Sequence, residues 1–225
     1  MVIRKRTLRI SKRKRQLMIK LTILIGIIIT SGIILCISCS IKKHNAGKQD
    51  VPRVNLIERP KLDIQLLTVN PYSRPGTRLD KIKGIVIHYT ANPGTTASRN
   101  RNYFEGLKDS KITKASSHFI IGIDGEIIQC IPTNEVAYAS NKRNGDTISI
   151  ECCHPDASGK FTDATYQELV KLTAWLCCEF RISVDDVIRH YDVTGKNCPK
   201  YFVENENKWK QFQEDVRVYI RQNNK

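Results

Sequence analysis

The chain has 225 residues, enough for one globular domain of ordinary size plus a short appended segment. Its formal net charge of +15 invites a nucleic-acid partner, yet 11 of the 37 Lys and Arg fall within residues 1–43, which hold no Asp or Glu. The other 26 basic side chains stand against all 22 acidic ones, so the rest of the chain has no basic footprint and a nucleic-acid partner is excluded.

Residues 1–20 form a basic segment carrying Arg4, Lys5, Arg6, Arg9, Lys12, Arg13, Lys14, Arg15 and Lys20. Residues 21–41, LTILIGIIITSGIILCISCSI, contain no charged side chain. At 1.5 Å per residue a helix of that length spans about 30 Å, enough to cross a bilayer. The segment is therefore expected to be a transmembrane anchor. A cleaved signal peptide is the rival, but its apolar region would be shorter, and no small-x-small cleavage pattern is clear. The positive-inside rule puts residues 1–20 in the cytoplasm and displays everything after residue 41 outside, as a single-pass protein of the cell membrane.

Residues 42–80 read as a linker. They contain Pro52, Pro60, Pro71, Pro75 and Gly76 and sustain no period, although Leu62–Val69 is apolar enough for a short strand or an arm lying on the domain. From residue 81 to 225 short apolar runs alternate with helical stretches. Ile82–Tyr89 is a β-branched strand buried on both faces. Ala97–Leu107 predicts a helix with Tyr103, Phe104 and Leu107 on one side. Ser117–Ile123 and Glu126–Ile131 predict a hairpin about Asp124-Gly125, the strongest turn signal in the chain. Thr147–Cys153 is another strand. A helix capped by Thr162 or Asp163 runs to about Phe180, Val187–His190 is a further strand, and Lys208–Arg221 closes the chain as an amphipathic helix. Strands interleaved with helices, plus a hairpin, indicate an α/β domain with a mixed central sheet flanked by helices.

Of the eight cysteines, Cys36 and Cys39 lie in the apolar N-terminal segment, and Cys152-Cys153 and Cys177-Cys178 are adjacent pairs in core elements. This is no disulfide framework; apart from Cys198 they read as small buried thiols.

Cys198 differs because of its neighbourhood, Arg189-His190-Tyr191-Asp192-Val193-Thr194-Gly195-Lys196-Asn197-Cys198-Pro199. An imidazole, an ammonium and a thiol lie within nine residues, with a turn signal at Thr194-Gly195. Imidazole and thiolate are both zinc ligands, but a catalytic zinc takes three protein ligands and keeps one position open. A third must come from elsewhere. His88, closing the run Gly84-Ile85-Val86-Ile87-His88, is the best candidate, although composition and spacing alone do not separate it from His118.

The order of elements from about Gly84 to Phe202 resembles the zinc-dependent N-acetylmuramoyl-L-alanine amidases of the peptidoglycan-recognition-protein-like type. The resemblance rests on Ile-Val-Ile-His-Tyr-Thr-Ala-Asn (85–92), Ser-Ser-His-Phe-Ile-Ile-Gly-Ile-Asp-Gly (116–125), Ile-Pro (131–132), Ser-Ile-Glu (149–151) and Arg-His-Tyr-Asp…Gly-Lys-Asn-Cys-Pro (189–199). It implies zinc ligation by His88, His190 and Cys198, a general base at Glu151 and a cation at Lys196 facing the substrate carbonyl. Alternation along Ile148–Cys152 puts Glu151 on the face opposite Ile150 and Cys152, and a carboxylate on an inner strand needs a partner or a task. Some members carry Tyr where this chain has Ser117, so Ser117 takes no catalytic role and Glu151 fits the branch that uses a carboxylate. Tyr89, Thr90, Asn92 and residues 141–144 are expected to wall the cleft. The implied activity is cleavage of the amide between N-acetylmuramic acid and L-alanine, with peptidoglycan as partner and a monomeric chain anchored at the membrane, its domain on the cell-wall side. The alternative is a non-catalytic peptidoglycan-binding module, which would lack the zinc ligands.

Overall fold

The computed structural model describes residues 57–223. The basic segment 1–20, the expected anchor 21–41 and residues 42–56 lie outside the described residues. Among those described, no helix is long and apolar enough to cross a membrane.

Among the described residues six strands make one sheet: β1 (Asp63–Ile64), β2 (Gly84–Tyr89), β3 (Phe119–Ile121), β4 (Ile127–Gln129), β5 (Thr147–Cys152) and β6 (Val187–Arg189), in spatial order β1-β4-β3-β5-β2-β6. Only β3 and β4 pair antiparallel; every other neighbour is parallel, so the sheet is mixed as expected. The antiparallel pair is the Asp124-Gly125 hairpin, and Gly125 supplies the turn with φ +86°, a backbone angle that costs glycine nothing. The described residues also form five α-helices: α1 (Ala97–Ser110), α2 (Asp163–Phe180), α3 (His190–Thr194), α4 (Lys200–Glu204) and α5 (Glu206–Asn223).

The two faces of the sheet are covered differently. Ile85, Ile87, Phe119, Ile121, Ile148, Ile150 and Cys152 pack with Leu169, Leu172 and Leu176 of α2 and with Trp209, Phe212 and Val216 of α5. Phe202 of α4 joins this core, its ring 5.5 Å from those of both Trp209 and Phe212. On the other face Ile120, Ile128 and Cys153 pack against Ala97, Phe104 and Leu107 of α1. Side chains alternate across a strand, so α1 covers the face that His88 and Glu151 share. It covers the β3–β4 end and leaves the His88 end open.

Local chemistry explains the helix ends. Thr96 caps α1 by accepting from the Arg99 N–H, and Thr162 caps α2 by accepting from the Thr165 N–H. The strand expected to reach His190 stops at Arg189. The Asp192 carboxylate accepts the Arg189 backbone N–H at 2.8 Å and turns the chain into α3, so His190 opens a helix rather than ending a strand.

The described part of the expected linker, residues 57–80, belongs to the domain, which therefore begins earlier than residue 81. β1 adds to the sheet edge beside β4, and Leu67 is buried among Leu107, Ile128 and Ile131. Glu105 accepts from the backbone N–H and hydroxyl of Thr68, and Arg74 pairs with Glu135 at 2.7 Å. These ties hold the segment down although its own sequence has no period. The expected arm at 62–69 is thus part of a longer strap.

Candidate metal centre

β2 delivers His88 and β5 delivers Glu151 as register partners on adjacent parallel strands. β6 leads directly to His190 at the start of α3, and the following loop brings back Cys198. The loop closes on itself: the Tyr191 N–H donates to the Cys198 carbonyl at 2.9 Å. Arg189, buried beside the site, fixes the approach to His190. Its guanidinium pairs with Asp192 at 2.9 Å, donates to the Phe202 carbonyl at 3.1 Å and lies 5.4 Å from the Trp209 ring centroid.

One ligand atom from each of His88, His190 and Cys198 lies within 4.8 Å of the others, the group that could hold a metal among the described residues. The imidazoles are tilted at 56° with centroids 4.6 Å apart, and His88 Nδ1 is 3.9 Å from Cys198 Sγ. All three residues are buried.

Burial dominates the electrostatics. It holds the His88 imidazole well below its ordinary pKa, helped by His190 and Lys196, and it lowers His190, with Lys196 adding to the effect. It pushes the Cys198 thiol up to about 12; Glu151 adds to that, while the Tyr89 N–H and Lys196 oppose it. Two neutral imidazoles beside a thiol are what a dication wants, because its charge offsets the penalty of burying a thiolate. Two nitrogens and one sulfur also suit zinc best. The donor set therefore fits the implied metal.

Glu151 stands next to this group. Burial raises its carboxyl to about 8, against a smaller lowering by Lys196, and its Oε2 finds no hydrogen-bond partner among the described residues. Ile150 and Cys152 point into the opposite core, as alternation requires. Lys196 is exposed at the mouth. All five residues singled out in the sequence line one cleft of about 340 Å³.

The structure also separates His118 from His88. His118 Nδ1 accepts the Ser149 N–H at 3.0 Å and its Nε2–H donates to the Glu135 carbonyl at 2.9 Å, so both ring nitrogens are engaged away from the cleft. Ser117 is likewise structural, its hydroxyl donating to the Phe119 and Ser149 carbonyls. Of the expected walls, Tyr89, Asn141 and Asn144 line the cleft, whereas Thr90, Asn92, Lys142 and Arg143 do not. Lys114, Ser116, Tyr138 and Phe104 line it without having been expected. The first three sit in irregular backbone with no periodic signal, and Phe104 reads as helix core.

The family described as N-acetylmuramoyl-L-alanine amidase (amidase type 2) matches residues 78–201, more than half of the chain. The curated N-acetylmuramoyl-L-alanine amidase CwlL of Bacillus licheniformis is 37% identical over 160 residues, covering 66% of this chain and 44% of its own. BlyA of Bacillus subtilis (strain 168), named likewise, is 36% identical over 173 residues, covering 68% and 46%. The chain thus spans less than half the length of these relatives. Among solved structures, a mutant endolysin from Bacillus subtilis aligns with TM-score 0.59 and 29% identity over 69% of this chain and 98% of that one. The catalytic domain of XlyA aligns with TM-score 0.59 and 27% identity over 69% and 99%.

Proposed function

The chain belongs to the N-acetylmuramoyl-L-alanine amidase family, and from that premise we propose that it hydrolyses the amide joining the lactyl group of N-acetylmuramic acid to L-alanine in peptidoglycan. The observation that carries the reading is the convergence of His88, His190 and Cys198 beside the Glu151 carboxylate, whose Oε2 has no hydrogen-bond partner among the described residues. A module that only binds the polymer has no use for that combination.

His88, His190 and Cys198 would hold zinc, which supplies Lewis acidity toward the amide carbonyl and lowers the pKa of a water from about 15.7 toward about 7. Glu151 takes the proton of the attacking water at its free Oε2 and hands it to the leaving L-alanine nitrogen, so the products are a lactyl carboxylate and a free amine. Burial raises its carboxyl in the metal-free protein, and a zinc ion held beside it would favour the ionised form that accepts the proton. Lys196 directs its ammonium at the oxygen that gains charge, a contribution on the order of 3 kcal/mol when preorganised. Tyr89, Tyr138 and Lys114 form the walls on which substrate is laid.

Residues 21–41 anchor the chain in the cell membrane with residues 1–20 in the cytoplasm, and the domain works outside as a single copy within reach of the wall. The test is release of stem peptide from purified wall by the full-length chain with zinc, read as new L-alanine amino termini. Binding of wall without any new amine, at full zinc occupancy, would refute hydrolysis.

A further inference from the structure

The rings of His88 and His190 each have a second nitrogen, and both of those nitrogens are held by the same short turn. His88 Nε2 is 3.1 Å from Ser140 Oγ, and His190 Nε2 is 2.9 Å from Asn141 Oδ1. Asn141 Oδ1 can only accept, so His190 carries its proton on Nε2 and presents Nδ1 as a bare lone pair. The Ser140 hydroxyl can accept from or donate to His88 Nε2, so that contact fixes the tilt of the ring, whose Nδ1 faces Cys198 Sγ, and leaves its tautomer open. Two ligands 102 positions apart in sequence (88 and 190) are thus oriented by two consecutive residues, which for His190 also set the tautomer.

The turn is itself held. The Asn144 Oδ1 accepts the backbone N–H groups of Ala139 and Ser140 at 3.1 and 2.6 Å. The Arg143 N–H donates to the Ser140 carbonyl at 2.9 Å, and the Thr147 hydroxyl donates to the Arg143 carbonyl at 2.6 Å. Thr147 begins β5, the strand that carries Glu151 four residues on. Asn141 has φ +51°, a left-handed conformation that asparagine tolerates better than most residues. Ser140 is buried, with no exposure to serve.

We propose that the Ser140–Asn144 turn is the positioning element of the metal centre: Ser140 and Asn141 orient the two imidazoles, and Asn144 keeps the pair in register. This rests on the ligand set proposed above. It assigns no step of the reaction to these residues. Groups that orient a ligating histidine change metal affinity by about 10- to 100-fold when removed.

The experiment measures zinc affinity of the full-length chain by competition with a chromophoric chelator, and the visible spectrum of the cobalt-loaded protein. Four variants are compared: Ser140→Ala, Asn141→Gly, Asn141→Asp and Asn144→Ala. Asn141→Gly keeps the left-handed backbone accessible while deleting the amide, so a loss there reports the side chain rather than strain. Expected are affinities weaker by about 10-fold or more for Ser140→Ala, Asn141→Gly and Asn144→Ala. Asn141→Asp, which retains the acceptor, should remain close to wild type. Wild-type affinity and an unshifted cobalt spectrum in both Ser140→Ala and Asn141→Gly would overturn the assignment. So would equal losses in Asn141→Asp and Asn141→Gly. Because the readout is metal affinity, an inactive wild type that still binds zinc tightly would refute hydrolysis while leaving this assignment to stand or fall on the variants.

Discussion

Replacing Glu151 by glutamine separates the stability and the activity of one buried carboxyl. In the metal-free protein burial lifts this group from 4.5 to about 8, while in the unfolded chain it ionises normally. At pH 7 folding must therefore take up a proton that the unfolded chain has released. The cost is about 2.5 pH units at 1.36 kcal/mol each, or about 3 kcal/mol. The sign follows from proton counts: the folded state binds more protons, so the penalty is absent below about 4.5 and grows with pH until it is complete near 8. Glutamine is neutral throughout and nearly isosteric. Glu151→Gln should therefore stabilise the metal-free protein by about 3 kcal/mol at pH 7 and hardly at all at pH 4. With zinc bound the same variant should keep its metal and lose activity by 10²- to 10⁴-fold, the usual worth of a general base. Urea unfolding at the two pH values supplies the first quantity, and release of L-alanine amino termini supplies the second. Undiminished turnover would remove Glu151 as the base. Equal stability of variant and wild type at pH 7 would refute the claim that its burial is uncompensated.

Cys198→Ser exchanges the only sulfur ligand for a hydroxyl, so zinc content after dialysis should fall well below one per chain and activity with it; full retention of both would exclude Cys198 from the site. His118 is held neutral with its pKa lowered to about 4, chiefly by burial, and protonation would set a new N–H against the Ser149 N–H that its Nδ1 accepts. That stability is present above 6.5 and lost as pH falls toward 4, about 3 kcal/mol in all. The stability gap between wild type and His118→Gln should narrow across that range in urea titrations, and a gap independent of pH would contradict it. Leu67→Ala should cost about 2–5 kcal/mol in unfolding free energy, because this strap residue is buried to 1% exposure against α1 and the sheet. A change under about 0.5 kcal/mol would mean residues 57–80 are only loosely applied. Lys196→Ala should leave zinc affinity near wild type and lower kcat more than it raises KM, since its ammonium acts on charge that appears during reaction.

Much of the domain could be read directly because its signals are local. The β-branched run expected at 82–89, the Asp124-Gly125 turn and the Thr162 cap each specify their own backbone within a few residues, and the structure has an element at each place, the strand beginning two residues later at Gly84. The pairing of His190 with Cys198 was legible for the same reason, since one loop carries both. Where sequence reading stopped at His190 as a strand end, the Asp192 cap that starts α3 operates through a side chain three residues on. Residues 57–80 read as linker because they have no period; their order comes from partners on α1, β4 and Glu135, none of them neighbours in sequence.

The amino-acid sequence by itself determined the central strands and the three long helices, the soft and borderline donors available to a metal, and the carboxylate on an inner strand; the two short helices at 190–194 and 200–204 were not legible in it. Only the tertiary structure decided which histidine joins Cys198. Composition leaves His88 and His118 equivalent, but parallel pairing of β2 with β5 and β6 carries His88 to the cleft, 3.9 Å from a sulfur 110 residues away, while His118 spends both nitrogens on Ser149 and Glu135. The physical reason is range. Backbone propensity and turn chemistry act over a few residues, whereas a metal centre is assembled by strand register and burial, which exist only once the sheet has formed.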